Sequence, residues 1–302
     1  MSLFSTLKFI VNHPLNKKRK VRSVLNFFLW QVSSRYQREP VEKKFVDDTK
    51  FWVRKGMTGI TGNLYVGLHD FEDMSFVLHF LRPEDTFVDI GSNVGSYSLL
   101  ASGVVKAQTI AFEPDPQNFK YLSKNIALNK IQHLASAHNI GLGNKKSELL
   151  FSSNFDAMNH IIERDEQKEQ HVKANLVKVE RLDAVLTQQS PTLMKIDVEG
   201  YEVPVIEGAK SILEQPGLKA LIIELKGNGM NRYGYDENEA KQYLMRIGFK
   251  PYYYDPFQRS LTLLNDKNKD TSAKNEIYIR DINFVMERIQ SARKININGI
   301  SY

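Results

Sequence analysis

Hydrophobic and polar positions along this chain change period several times. From residue 86 onward, short β-branched and apolar runs alternate with amphipathic stretches, as in a parallel sheet covered by helices on both faces. The runs predict strands over 86–90, 108–112, 134–140, 193–196 and 220–225. Helices are predicted over 95–103, 116–128, 203–213 and 236–247, the last stopped by Gly248. Residues 148–152 and 175–180 read as short extra strands around a polar, poorly periodic stretch at 154–171, and 183–186 as a short helix. Residues 250–254 and 276–280 read as two final strands, with a polar connector at 265–274 before the second. The tail past Arg280 carries one more helix. No internal repeat is present.

Upstream of residue 86 the pattern differs. Val21, Val24, Leu25, Phe28, Leu29 and Val32 recur at helical spacing and share a face. Such a face ordinarily packs on a core. Preceded by Lys17, Lys18, Arg19 and Lys20, it also suits a bilayer interface, with cations meeting anionic headgroups. Residues 45–66 read as a small β region, with turns at Gly56, Gly59 and Gly62 and a strand at Leu64–Val66. A polar segment containing His69, Asp70, Glu72 and Asp73 leads into a helix over 75–81, which can lie over a ligand crevice. The expected organisation is a basic arm with a small β region at 1–57, a main α/β domain at 58–280, and a helix and tail at 281–302.

Composition narrows the function classes. The 302 residues are 42% apolar and 25% charged, ordinary for a globular protein with one large α/β domain. The absence of cysteine removes disulfides, thiolate nucleophiles and cysteine-ligated metals. The net charge of +6 is concentrated in residues 1–44, which hold ten Lys/Arg against Glu39 and Glu42. The main body therefore carries a slight negative excess, which argues against a nucleic-acid partner. No apolar run is long enough to span a bilayer, and Leu7–Val11 is too short for the apolar core of a secretory signal. A cytoplasmic location is expected, with a peripheral position at the inner membrane face as the arm's alternative.

The candidate chemistry centres on Phe87–Tyr97, which reads as a buried strand, a glycine turn and a helix start. Gly91 and Gly95 bracket Asn93. Such a turn lets backbone approach a ligand, and the helix beyond it would offer free N–H groups and a positive dipole end. The next strand ends in Glu113, placed to accept hydrogen bonds from ribose hydroxyls. The turn lacks the Gly-x-Gly-x-x-Gly spacing of a nicotinamide site, which disfavours an NAD-dependent oxidoreductase. The fourth core strand ends in Lys195-Ile-Asp-Val-Glu-Gly-Tyr-Glu202 and should face the same crevice. Alternation places Lys195 and Asp197 on one side of the sheet, as a functional carboxylate or as a strand-end ion pair. Glu199 reads as a cap for the next helix. No metal-ligand spacing stands out.

Taken together, Asp89-Ile-Gly-Ser-Asn-Val-Gly-Ser-Tyr97, Ala111-Phe-Glu-Pro-Asp-Pro-Gln-Asn-Phe119, Asn125-Ile-Ala-Leu-Asn129, Arg181-Leu-Asp183 and Lys195–Glu202 resemble the FkbM-type methyltransferases. The resemblance runs from about Thr58 to Phe249. It implies a class I methyltransferase fold, a Rossmann-like seven-stranded sheet whose last strand is antiparallel, and S-adenosylmethionine (SAM) as cofactor. By the same resemblance, Gly91, Ser92, Asn93 and Gly95 would form the turn under the methionine part of SAM. Asp89 would steady that turn or reach the amino group through water. Glu113 would take the ribose hydroxyls, Asp115 would lie by the adenine edge, and Asp197 would line the methyl-transfer end.

The implied reaction is O-methylation of a hydroxyl on a saccharide, glycolipid or other secondary metabolite; the basic arm, not the resemblance, suggests a lipid-linked acceptor. A hydroxyl benefits from a base. His160 is the first candidate, since an imidazole accepts protons near neutral pH, and Asp197 is the second. The competing class is a catalytically silent binding module of the same fold, docking to a membrane or partner through residues 1–44. The sequence carries no signal for oligomeric state.

Overall fold

The computed structural model describes residues 2–37, 39–152, 160–162, 174–225, 233–265 and 275–302. Most of the polar stretch at 154–171, most of the connector at 265–274 and the start of the loop after residue 225 lie outside them.

Among the described residues, eight strands form the main sheet. Five run parallel to one another on their shared edges: β3 (Thr86–Ile90), β4 (Gln108–Phe112), β5 (Ala135–His138), β9 (Leu193–Ile196) and β10 (Ala220–Ile223). Beyond β10 come β13 (Glu276–Ile279), β11 (Lys250–Asp255) and β12 (Ser260–Leu263), giving the order β5-β4-β3-β9-β10-β13-β11-β12. β13 runs antiparallel to both of its neighbours, as expected for the last strand of the class I methyltransferase sheet. The expected seven strands are all present. The eighth, β12, is a hairpin partner of β11 across Asp255–Ser260 that the sequence pattern did not show.

The chain leaves β3 on one side for β4 and β5, then returns to its other side for β9 and β10. This reversal opens a crevice at the carboxyl ends of β3 and β9, where ligands bind in open α/β sheets. Strand alternation assigns the two faces. Val88, Ile90, Phe112, Met194, Ile196, Leu221 and Ile223 share one core with the helices Glu202–Gly208, Lys210–Leu213 and Glu237–Arg246. Phe87, Leu193, Ala220 and Ile222 point the other way. They pack with α4 (Phe71–Phe80), the π-helical segment Leu99–Val105 and the helix Ile282–Ser291. A smaller sheet of β6 (Gly141–Leu142), β8 (Ala174–Glu180) and β7 (Ser147–Ser152) stands beside the crevice.

The upstream region differs from its sequence pattern in two ways. Residues Thr58–Val66 form a helix, α3, rather than turns and a strand. Its glycines provide clearance: a Cβ at Gly59 would lie 2.8 Å from Asn93 Oδ1, and one at Gly62 would lie 2.3 Å from His69 Nδ1. They read as turn residues only because the groups pressing on them are distant in sequence or across a loop.

The second difference concerns α2 (Lys20–Tyr36), which follows α1 (Leu3–Asn12). The apolar face was expected to pack inward, yet Val21, Leu25, Phe28, Leu29 and Val32 are exposed. The inward positions are Ser23, Phe27, Trp30 and Ser34. Phe27 meets the Tyr65 ring at 5.1 Å, and the Gln31 side-chain amide donates to the Tyr65 hydroxyl at 3.2 Å. The hairpin of β1 (Val41–Lys44) and β2 (Lys50–Val53) buries Phe51 and Val53 against the helix Pro116–Leu128. Asn125 locks this junction. It donates to Val94 O and accepts from Trp52 N–H, both at 2.8 Å.

Candidate active site

The glycine turn at residues 91–95 is a closed backbone unit. Gly91 N–H and Ser92 N–H both donate to Phe112 O at 3.0 Å, and Gly95 N–H donates to Ser92 O at 2.8 Å. Asn93 N–H donates to Glu113 Oε2 at 2.7 Å, and Val94 N–H to Asn93 Oδ1 at 2.8 Å. The five amides of the turn itself are thus engaged within the protein. The turn's shape is that of a surface ligands lie against, not of a phosphate cradle. Asn93 holds a left-handed φ of 51°, a conformation asparagine tolerates better than most side chains.

Glu113 stands at the end of β4, next to the turn, and lines the cavity. Its Oε1 accepts from Asp115 N–H at 2.9 Å and its Oε2 from Asn93 N–H. Each oxygen keeps a further lone pair for a ligand hydroxyl. Burial pushes this carboxyl up to about 8, against the two amides that favour its charged form. Asp115 has a structural task. Its Oδ1 accepts from Asn118 N–H at 2.8 Å and caps the helix Pro116–Leu128, while the neighbouring Pro114 and Asn118 line the cavity. Asp89 is likewise set back from the cavity wall. Its Oδ2 accepts from Ser98 Oγ at 2.6 Å, tying the strand end to the helix after the turn.

Asp89 and Lys195 are register partners on β3 and β9. The buried Lys195 Nζ lies 2.7 Å from Asp197 Oδ2 and 4.8 Å from the centre of the Tyr97 ring. Burial alone would lower this ammonium, but Asp197 and Asp89 hold it above its usual range. The Tyr97 hydroxyl donates to Asp70 Oδ2 at 3.1 Å, which extends the charged group onto α4. Glu202 fixes the loop after Asp197: its Oε1 accepts from Val198 N–H at 3.0 Å and Gly200 N–H at 3.2 Å. Glu199, expected to cap the next helix, instead takes a left-handed φ of 52° and lines the cavity.

These elements enclose a cavity of about 310 Å³. The turn and Glu113 form one wall, with Lys195, Asp197, Val198, Glu199 and Tyr201 on another. His69, Asp70 and Gly59 close a third side, and Leu142, Phe151, Val177 and Val179 of the small sheet supply apolar surface. Of the residues singled out in the sequence, Gly91, Ser92, Asn93, Glu113 and Asp197 share this cavity. Gly95 lies just behind it, where a Cβ would meet Leu122 at 2.6 Å. His160 is buried and bonded through its backbone to Ser152, and its neighbour Ile161 lines the cavity. Among the described residues, the imidazole in the cavity wall is that of His69, whose Nε2 lies 4.0 Å from Asp70 Oδ1.

Glu224 escaped sequence reading. It follows β10 and brings a carboxylate oxygen within 4.8 Å of those of Asp197 and Glu199. The rule that places ligands at strand ends, applied to β10 as it was to β9, would have found it. The three carboxylates come from two strand ends, so no local spacing in the chain announces them.

Hexuronic acid methyltransferase AglP of Haloferax volcanii is 25% identical over 149 residues, covering 49% of this chain and 59% of that protein. Methyltransferase sdnD of Sordaria araneosa is 28% identical over 169 residues, covering 46% of this chain and 65% of that protein. The chain thus spans less than two thirds of the length of these relatives. A solved methyltransferase FkbM from Methylobacillus flagellatus KT superposes with a TM-score of 0.45 at 16% identity, covering 85% of this chain and 59% of that one. Residues 89–251, more than half of the chain, match the Methyltransferase FkbM domain, and the protein therefore belongs to the FkbM methyltransferase family.

Proposed function

We propose that the protein is a SAM-dependent O-methyltransferase whose acceptor is a hydroxyl of a saccharide or a saccharide-bearing metabolite. The observation that carries this reading is the meeting of Glu113, the 91–95 turn and Asp197 around one cavity. The residues fit the cofactor. Glu113 retains acceptor capacity toward a vicinal diol, Asn118 and Pro114 edge the adjoining pocket, and the engaged turn amides suit a ligand without phosphate. A cavity of about 310 Å³ lies at the small end of the range of roughly 300–1,000 Å³ for ligand sites. The saccharide class is supported by the hexuronic acid methyltransferase among the relatives.

When bound, SAM supplies a methyl group already activated on sulfur, so the protein's task is alignment and exclusion of water. Glu113 would hold the ribose. Asp197, fixed by Lys195, would orient the acceptor at the transfer end. His69 would accept the hydroxyl proton at its imidazole, with Asp70 Oδ1 4.0 Å from its Nε2. The apolar side chains of the small sheet would keep water from the reacting groups.

Calorimetry with SAM on the wild type and Glu113→Gln tests the cofactor step. A glutamine side chain can accept only one of the two backbone amides and presents an N–H₂ to the other. The wild type should bind SAM, and the variant should bind at least about tenfold more weakly, the loss of roughly one charged hydrogen bond. Absence of SAM binding by the wild type would leave the silent-module reading in its place. Radiolabelled methyl transfer into fractionated glycans and lipids then identifies the acceptor.

A further inference from the structure

We propose that the outward face of α2 is a docking surface for an anionic lipid bilayer. The helix carries two distinct apolar stripes. The inward one, Phe27 and Trp30, is buried and anchored to α3 through Tyr65, so the helix cannot roll to bury the other. The outward stripe is Val21 (76% exposed), Leu25 (56%), Phe28 (45%), Leu29 (67%), Val32 (56%) and Tyr36 (84%). At 100° per residue these six span about a third of the helix circumference, centred opposite the buried stripe. A contiguous band of large apolar groups in water has a cost that a soluble surface normally avoids.

Charge selects the occupant. Lys17, Lys18, Lys20 and Arg22 stand exposed around the start of α2, and Arg35 is exposed in its last turn. Projected around the helix, Arg35 flanks one side of the apolar stripe and Arg22 the other, with Lys20 at the helix start. The first turn of α2 holds no acid, so its basic start opposes the helix dipole and weakens the helix in isolation. An external anionic surface offsets that arrangement. The rest of the chain carries a slight negative excess, so the positive charge is a local feature of this arm. A second copy of the chain would bring like charges face to face, whereas a bilayer takes the apolar stripe into its acyl boundary and meets the rim cations with headgroup phosphates. The geometry is that of a helix lying in the interface plane. Among the described residues, no helix is long and apolar enough to cross a membrane.

The docked arm would be continuous with the cavity wall. α2 packs on α3, whose Gly59 lines the cavity, and Phe9 of α1 meets the ring of His69 at 5.0 Å.

Flotation of the full chain tests the proposal. The probes are vesicles of phosphatidylcholine alone and of phosphatidylcholine mixed with phosphatidylglycerol. The wild type should float with the mixed vesicles and at least about tenfold less with the neutral ones. Leu29→Asp/Val32→Asp should abolish flotation. Lys17→Gln/Lys18→Gln/Lys20→Gln, which leaves the apolar stripe intact, should weaken partitioning by about fivefold per charge removed. Failure of the wild type to float with anionic vesicles would overturn the proposal, as would flotation unchanged in the charge variant. So would light scattering that finds a dimer which Leu29→Asp converts to a monomer, since that would assign the face to a second copy.

Discussion

The carbonyl oxygen of Asp197 stands 1.9 Å from the point that a Cβ on Gly91 would occupy. The two residues end the neighbouring strands β3 and β9, and Asp197 N–H donates to Ile90 O at 3.1 Å. The turn on one wall of the cavity and the carboxylate on another are therefore one rigid unit, joined backbone to backbone.

Gly91→Ala should break that unit. The added methyl group meets main-chain atoms, which cannot swing aside as a side chain can, and Gly91 also holds a φ of +75°. The expected destabilisation is about 2 kcal/mol or more, together with loss of cofactor binding. Gly56→Ala is the control. That residue has a φ of +95° but nothing within 4 Å of the added Cβ, so it should show only the backbone strain of about 1 kcal/mol. Urea denaturation of the two variants makes the comparison. Equal losses would mean that the contact between Gly91 and Asp197 carries no weight.

A second prediction concerns pH. Glu113 is raised by burial from 4.5 to about 8, and Glu202 from 4.5 to about 7. Each binds more protons folded than unfolded across that window, so each makes stability fall as pH rises through it. The buried His13 and His79 act in the opposite sense. Burial lowers them from 6.5 to about 4 and about 3, so they make stability rise with pH up to about 6.5. The acids therefore dominate above pH 6.5. The ligand-free protein should lose unfolding free energy between about pH 6.5 and pH 8, and Glu202→Gln should flatten that decline. Denaturation profiles at fixed ionic strength check it, and a curve still rising at pH 8 would contradict the assignment.

How much of this was legible in the sequence depended on how local the signal is. β3, β4, β9 and β10 announce themselves because strands buried on both faces are continuous apolar runs, and the groups at their ends fall where the switch-point rule places a ligand. Glu113 and Asp197 were found that way. The family resemblance places Asp115 by the adenine edge and has Asp89 either steady the turn or reach the cofactor through water. Whether a strand-end acid turns to the cavity or back to Ser98 and Asn118 depends on neighbours that only the fold supplies. The helix Thr58–Val66 was hidden by glycines that make room for Asn93 and His69. The outward stripe of α2 was visible as a pattern, but its direction was not. Two apolar stripes on one helix look alike in sequence until one of them, through Phe27 and Trp30, finds a partner.

The imidazole that serves the reaction is the remaining prediction. His69 lines the cavity, with Asp70 Oδ1 4.0 Å from its Nε2, and its ring is braced by Phe9 at 5.0 Å. Its backbone N–H donates to Asn63 Oδ1 at 2.7 Å, which sets the segment independently of the side chain. His160 bonds Ser152 through its main-chain N–H and C=O at the edge of the small sheet. Removing a positioned base typically costs a factor of about 10²–10⁴ in turnover. His69→Ala should therefore lose turnover on that scale and keep its SAM affinity, because the turn and Glu113 are untouched. His160→Ala should retain most of its turnover. Single-turnover methyl transfer on both variants, with SAM affinity measured in parallel, separates the two. A large loss in His160→Ala with His69→Ala unaffected would return the base to the residue first suggested by the sequence, and a loss of SAM binding in His69→Ala would place that ring in the cofactor pocket instead.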